Sequence, residues 1–115
     1  MSGRDELYLE HVLQAIALIE RFTAGGRAVF FGDEMVQSAV IRQIEIVGEA
    51  VRNLSGELKM RETTVRWRDI AGTRDKLIHA YFSVKLDVVW NVVEHELPSL
   101  KQQIRRIRDQ SRPGP

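Results

Sequence analysis

Apolar residues in this chain recur every three or four positions over long stretches, and that spacing commits it to helices. A helix turns by about 100° per residue, so positions three and four apart share one side. Within residues 4–23, Leu7, His11, Ala15, Leu18 and Phe22 form such a stripe, widened by Val12, Ile16 and Ile19. A stripe this wide suits a bundle helix packed on two neighbours. Gly25-Gly26 should close it, because glycine takes the left-handed backbone that ends helices. A second helix is expected from Asp33, a good N-cap residue, to about Leu54, with Val36, Val40, Ile44, Val47, Val51 and Leu54 inward and Ser55-Gly56 as its stop. Residues 57–65 are polar and read as a connection with at most one helical turn. A third helix spans 66 to 79 or 81. A fourth spans 85–108, with Val89, Val92, Val93, Leu97, Leu100, Ile104 and Ile107 inward. Pro98 falls inside that last pattern and should bend it, since proline donates no amide hydrogen and crowds the preceding turn.

The prediction is therefore an all-α chain, an up-and-down bundle of four main helices with a possible short extra helix. One domain should cover residues 1–109. Residues 110–115, ending Ser111-Arg112-Pro113-Gly114-Pro115, have nothing to bury and are expected to form a disordered tail.

Composition narrows the class. With 43% hydrophobic and 29% charged residues, disordered and collagen-like chains are excluded. The absence of cysteine excludes disulfides, thiolate metal sites and cysteine nucleophiles. His11, His79 and His95 show no metal-ligand spacing, so neither a metal nor another cofactor is expected. No segment approaches the roughly 20 apolar residues that cross a bilayer, and the start of the chain turns acidic at once, which points to the cytoplasm. Lys and Arg exceed Asp and Glu by only one, 17 against 16. A nucleic-acid ligand would need a local basic patch, or the pooled charge of two subunits.

The third helix carries the chemistry. It contains Thr73-Arg74-Asp75-Lys76-Leu77-Ile78-His79-Ala80-Tyr81. Asp75 and His79 are four apart and share a face, so the carboxylate can hold one imidazole nitrogen and leave the other free to move a proton. Arg74 lies about 140° from His79 on an ideal helix. Tyr81, seven residues on, returns to the arginine's face. RNA cleavage without a metal needs a base for the ribose 2′-OH, an acid for the leaving 5′-oxygen and a cation for the charge at phosphorus. Histidine and arginine cover these roles, and a symmetric dimer would supply two of each in one cleft. A histidine near a helix C-terminus can also simply complement the helix dipole. A tyrosine there can be a core residue with a wet hydroxyl.

The surrounding text resembles a known family. Ser38-Ala39-Val40-Ile41-Arg42-Gln43-Ile44-Glu45-Ile46-Val47-Gly48-Glu49-Ala50-Val51, the Trp67-Arg68-Asp69 block with the Arg74, His79 and Tyr81 motif that follows it, and then Val89-Trp90 and Glu96-Leu97-Pro98 are similar to HepT-like proteins of the HEPN superfamily, over most of the chain. The resemblance implies a dimeric helical toxin that cuts RNA, tRNA among its targets, with Arg74 and His79 catalytic. It implies as partner a nucleotidyltransferase antitoxin of the MntA type, which transfers AMP from ATP to the motif tyrosine, here Tyr81. Bulk and negative charge added there would repel an RNA phosphate. Asp75 stands where the family often has asparagine, Ala80 where it often has glycine, and Lys85 where an acidic residue is common.

Other residues have plainer readings beside functional ones. His11 reads as partly buried within its stripe and His95 as solvated beside Glu94 and Glu96. Glu45 and Glu49 read as ion-pair partners of Arg42, Arg52 or Arg74; Glu49 and Asp75 would then support the catalytic pair. Lys101, Arg105, Arg106 and Arg108 form the dense basic cluster, suited equally to a helix C-terminus and to phosphate binding. Lys76, Lys101, Arg105 and Arg106 are the RNA-binding candidates. Trp67 and Trp90 read as core anchors. Against the nuclease stands a non-catalytic subunit that binds a nucleotide or docks on a nucleotidyltransferase, and beyond that a purely structural adaptor.

Overall fold

The computed structural model describes residues 1–79 and 85–111, with the side chains of all of these except residues 74–76, 78 and 79. The described residues are all-helical and hold no strand. Helix α1, Gly3–Phe22, starts on Ser2, whose hydroxyl accepts from the Asp5 amide at 3.1 Å. It closes at Thr23, short of the glycine pair expected to end it; Gly26, with φ 88° and an extended ψ, is instead the residue that starts α2. Asp33 caps α3, Glu34–Asn53, accepting from the amides of Met35 at 2.9 Å and Val36 at 3.3 Å. Helix α5 is Trp67–His79. These three helices and the long C-terminal one are the four expected.

Two short helices complete the order. Helix α2, Arg27–Gly32, was not legible as a helix, because six residues cannot show a period. Its Phe30 is fully buried, 5.2 Å from the Trp90 ring. Gln37 donates to the carbonyls of Phe30 at 2.9 Å and Phe31 at 3.2 Å, satisfying the end of α2 that has no further turn to bond it. Helix α4, Gly56–Arg61, started by the Ser55 hydroxyl, is six residues long and exceeds the single turn expected between the second and third helices.

The fourth helix is one rod in three parts. Helix α6, Leu86–Asn91, runs through a π-helical segment, Val92–Glu96, into α7, Leu97–Ser111. The π segment lies just before Pro98. Pro98 has no amide to bond the preceding turn and its ring needs room there; a widened turn, with the Leu97 amide reaching back to the Val92 carbonyl, provides it. The interruption expected at Pro98 is thus present upstream of the proline. Helix α7 continues to Ser111, where the hydroxyl donates to the Ile107 carbonyl at 2.9 Å, so Gln110 and Ser111 are helical rather than tail. The rest of the expected tail, residues 112–115, lies outside the described residues.

Packing is most extensive between α1 and α3, then between α3 and α5, then between α1 and α7. The α1–α3 pair is the middle of the bundle, with α5 on one flank and α7 on the other. Arg106 closes the ring, paired with Glu62 at 3.0 Å next to α4. In α1 the inward line is Leu9, Val12, Ile16 and Ile19, all 2% exposed or less. The stripe expected through Leu7, His11 and Leu18 is its flank, and Leu7 is 52% exposed. Trp67 and Trp90 are buried, as core anchors should be. No helix among the described residues is long and apolar enough to cross a membrane.

Candidate active site

Helix α5 carries the motif, and its sequence explains its position. The amide of Ile70 bonds back to the Arg66 carbonyl at 3.1 Å and begins the helix. Trp67 is buried and its indole donates to the Glu62 carbonyl at 3.0 Å, which fixes the entry from α4. Leu77, buried to 5% exposure, ties the C-terminal half to the core. Helix α5 stays regular through His79, so the spacing of the motif is realised on a helical backbone. Positions 74 and 79 are then about 7.5 Å apart along the axis and about 140° around it, whereas 75 and 79 are only about 40° apart in rotation. Relative to Leu77, position 74 is rotated by about 60° and position 79 by about 160°. Position 79 is therefore on the side of α5 away from the buried Leu77. The side chains of Arg74, Asp75, Lys76 and His79 lie outside the described residues, as does the whole of Tyr81.

Around this helix the described side chains are placed as follows. The Arg66, Asp69 and Ile70 side of α5 borders a groove of about 360 Å³ that His95 and Ser99 line from the opposite rod. Helix α3 packs along α5, and its Glu49 accepts from the Asn53 side chain at 3.4 Å. Glu45 pairs with Arg42 at 3.3 Å, one of the partners expected for it. Glu45, Glu49, Tyr8 and His11 line a cleft of about 290 Å³ between α1 and α3. His11 is half-buried, edge-on to Tyr8 with ring centroids 5.5 Å apart. His95 is exposed, its Nε2 3.1 Å from Glu94. No group of three or more His, Asp or Glu able to hold a metal occurs among the described residues.

The basic cluster divides. Lys101, Arg105 and Arg108 face α1, whereas Arg106 faces α4 and is bound to Glu62. Lys101 pairs with Glu20 at 2.7 Å, and Arg108 with Glu10 at 3.4 Å and Asp109 at 3.1 Å. The hydrogen bond to Asp109 outweighs the opposing effect of burial and, with the attraction of Asp109 and Glu10, raises the Arg108 pKa above its ordinary value. Arg105 has no ion pair among the described residues.

One buried charge escaped the sequence reading. Asp5, 4% exposed, accepts from the Ser55 amide at 2.8 Å and its hydroxyl at 2.7 Å, joining the start of α1 to the cap of α4. The partners are 50 residues apart, and no local pattern connects them.

In its described bundle this chain sets Arg74 and His79 five apart on one helix, the arrangement that the resemblance to HEPN proteins implies. Its family follows from comparison with known proteins: residues 12–107 match the family described as Ribonuclease HepT-like, and the chain belongs to that family. It is 44% identical over 105 residues to a protein named "Probable ribonuclease HepT" from Thermococcus cleftensis, a match covering 88% of this chain and 93% of the relative. It is 43% identical over 101 residues to "Putative RNase TTE0752" from Caldanaerobacter subterraneus subsp. tengcongensis, covering 87% and 90%. It is 41% identical over 106 residues to "Gamma-glutamylcyclotransferase and putative RNase MJ0434" from Methanocaldococcus jannaschii; there the match covers 91% of this chain and 48% of the relative, so the chain spans about half of that protein. No solved structure matches this one.

Proposed function

We propose that this HepT-like ribonuclease is a metal-independent endoribonuclease that acts as a homodimer, with Arg74 and His79 of both copies in one cleft. The observation that carries the reading is the motif itself, set on an unbroken helix in a chain that matches a ribonuclease family over residues 12–107. An imidazole takes the proton of the ribose 2′-OH, and the 2′-oxygen attacks phosphorus. The 5′-oxygen leaves with a proton from a second acid, giving a 2′,3′-cyclic phosphate and a 5′-hydroxyl. The arginine fork holds the phosphate and the charge that builds on it. In this reading Asp75 orients His79, Glu49 supports the arginine, and Lys76 lies beside the path of the RNA.

The substrate we favour is tRNA, and the setting a toxin–antitoxin pair. A nucleotidyltransferase of the MntA type would silence the chain by placing AMP on Tyr81, two residues beyond His79, where a new negative charge opposes phosphate binding. Intact mass of the chain made together with such an enzyme reads that modification directly.

The test is incubation with total tRNA in the presence of a chelator, beside Arg74→Ala and His79→Ala. The wild type cuts; each variant loses about 10²-fold or more, the range for removing a proton-transfer or charge-stabilising group. A wild type that binds RNA but leaves it intact would overturn the reading and favour a binding subunit.

A further inference from the structure

We propose that the groove between α1 and α7 is a second RNA contact, holding phosphates of the substrate outside the cleavage cleft through Arg21 and Arg105. The groove has a volume of about 420 Å³, with Arg21 from α1 and Lys101, Arg105 and Arg108 from α7 among its walls, against Glu20 as its lining carboxylate. Of these four cations, Lys101 and Arg108 are paired with carboxylates, which leaves Arg21 and Arg105 as the groove's unpaired charge among the described residues. The α7 cations lie at i, i+4 and i+7 and so form one row about 10 Å long. Ala17 of α1 and Ala24, just past its end, line the groove, and side chains this small let a polynucleotide backbone come close.

The ion pairs decide which cations are available. Lys101 is engaged by Glu20, and Arg108 by Glu10 and Asp109. The Lys101–Glu20 and Arg108–Glu10 pairs join α7 to α1. Arg21 and Arg105 are both exposed, and neither has an ion pair among the described residues. Each offers a planar donor fork suited to a phosphate. Arg106, on the other side of α7 and bound to Glu62, does not belong to this contact. RNA rather than an acidic protein is favoured because the chain belongs to a ribonuclease family, and Arg21 and Arg105 reach one groove from two helices.

The proposal takes from the nuclease reading only that RNA is the ligand, so its test measures binding. A fluorescent tRNA is titrated into the full chain carrying His79→Ala, from 0.05 to 0.2 M salt. Adding Arg21→Gln with Arg105→Gln should weaken binding about tenfold at the higher salt and lower the salt slope by about 2, as expected for two lost phosphate contacts. Arg42→Gln with Arg61→Gln removes the same charge outside the groove and should leave the slope unchanged. Affinity and slope unaltered by the groove pair, or an equal loss from the control pair, would overturn the proposal; so would a parent chain that does not bind tRNA at 0.05 M salt. If the chain with His79 intact fails to cut RNA while the groove pair still weakens binding, the nuclease reading falls and the groove stands.

Discussion

Asp5 shows how much one side chain can hold. Its carboxylate takes two hydrogen bonds from Ser55, and the Ser55 hydroxyl in turn accepts from the Leu58 amide, so one buried charge organises the meeting of α1 and α4. Removing it leaves the Ser55 amide without its partner. Asp5→Ala should cost about 2–3 kcal/mol, the range for hydrogen bonds to a charged acceptor, read as a lower urea midpoint with an unchanged slope. The residues of the proposed chemistry were legible earlier than this structural one. Arg74, Asp75 and His79 lie within six positions of sequence, and a helix makes their mutual rotation predictable. Asp5 and Ser55 meet only because two helices pack.

At the scale of elements, long helices followed from period and caps, and short ones did not. Asp33 fixed a helix start that the structure keeps, whereas the first helix stops at Thr23, before the glycine pair expected to close it. Helix α2 is anchored by burial of Phe30 against Trp90, a contact across the chain that no six-residue window contains. In α1 the apolar positions were right and their centre was wrong, since Leu7 belongs to the rim. A wide stripe leaves several rotations open, and the neighbours choose one. Helix α5 holds a glycine that its own packing does not require. A Cβ on Gly72 would meet nothing within 4 Å among the described residues, and the position is mid-helix. Gly72→Ala should therefore stabilise the chain by about 0.5–1 kcal/mol, visible as a melting temperature higher by a few degrees. Loss of dimer from the same substitution would show that a second copy approaches α5 closely at this point.

At the scale of the molecule, one chain offers one Arg74 and one His79, and the proposed reaction uses a base and an acid together. Sedimentation equilibrium should give twice the chain mass, and cleavage per chain should fall on dilution below the dimer dissociation constant; a monomer of full activity would exclude the shared cleft. What the sequence by itself determined is what is local: the helix class, the long helices with their caps, and the motif with its spacing, because hydrophobic period and side-chain chemistry act within a few turns. Tertiary structure alone decided the α1–α3 centre of the bundle, the Asp5–Ser55 tie, the widened turn before Pro98 and the division of the basic cluster into Lys101, Arg105 and Arg108 on one side and Arg106 on the other. Those depend on which surfaces meet, and burial is a property of the whole packed chain rather than of any segment of it.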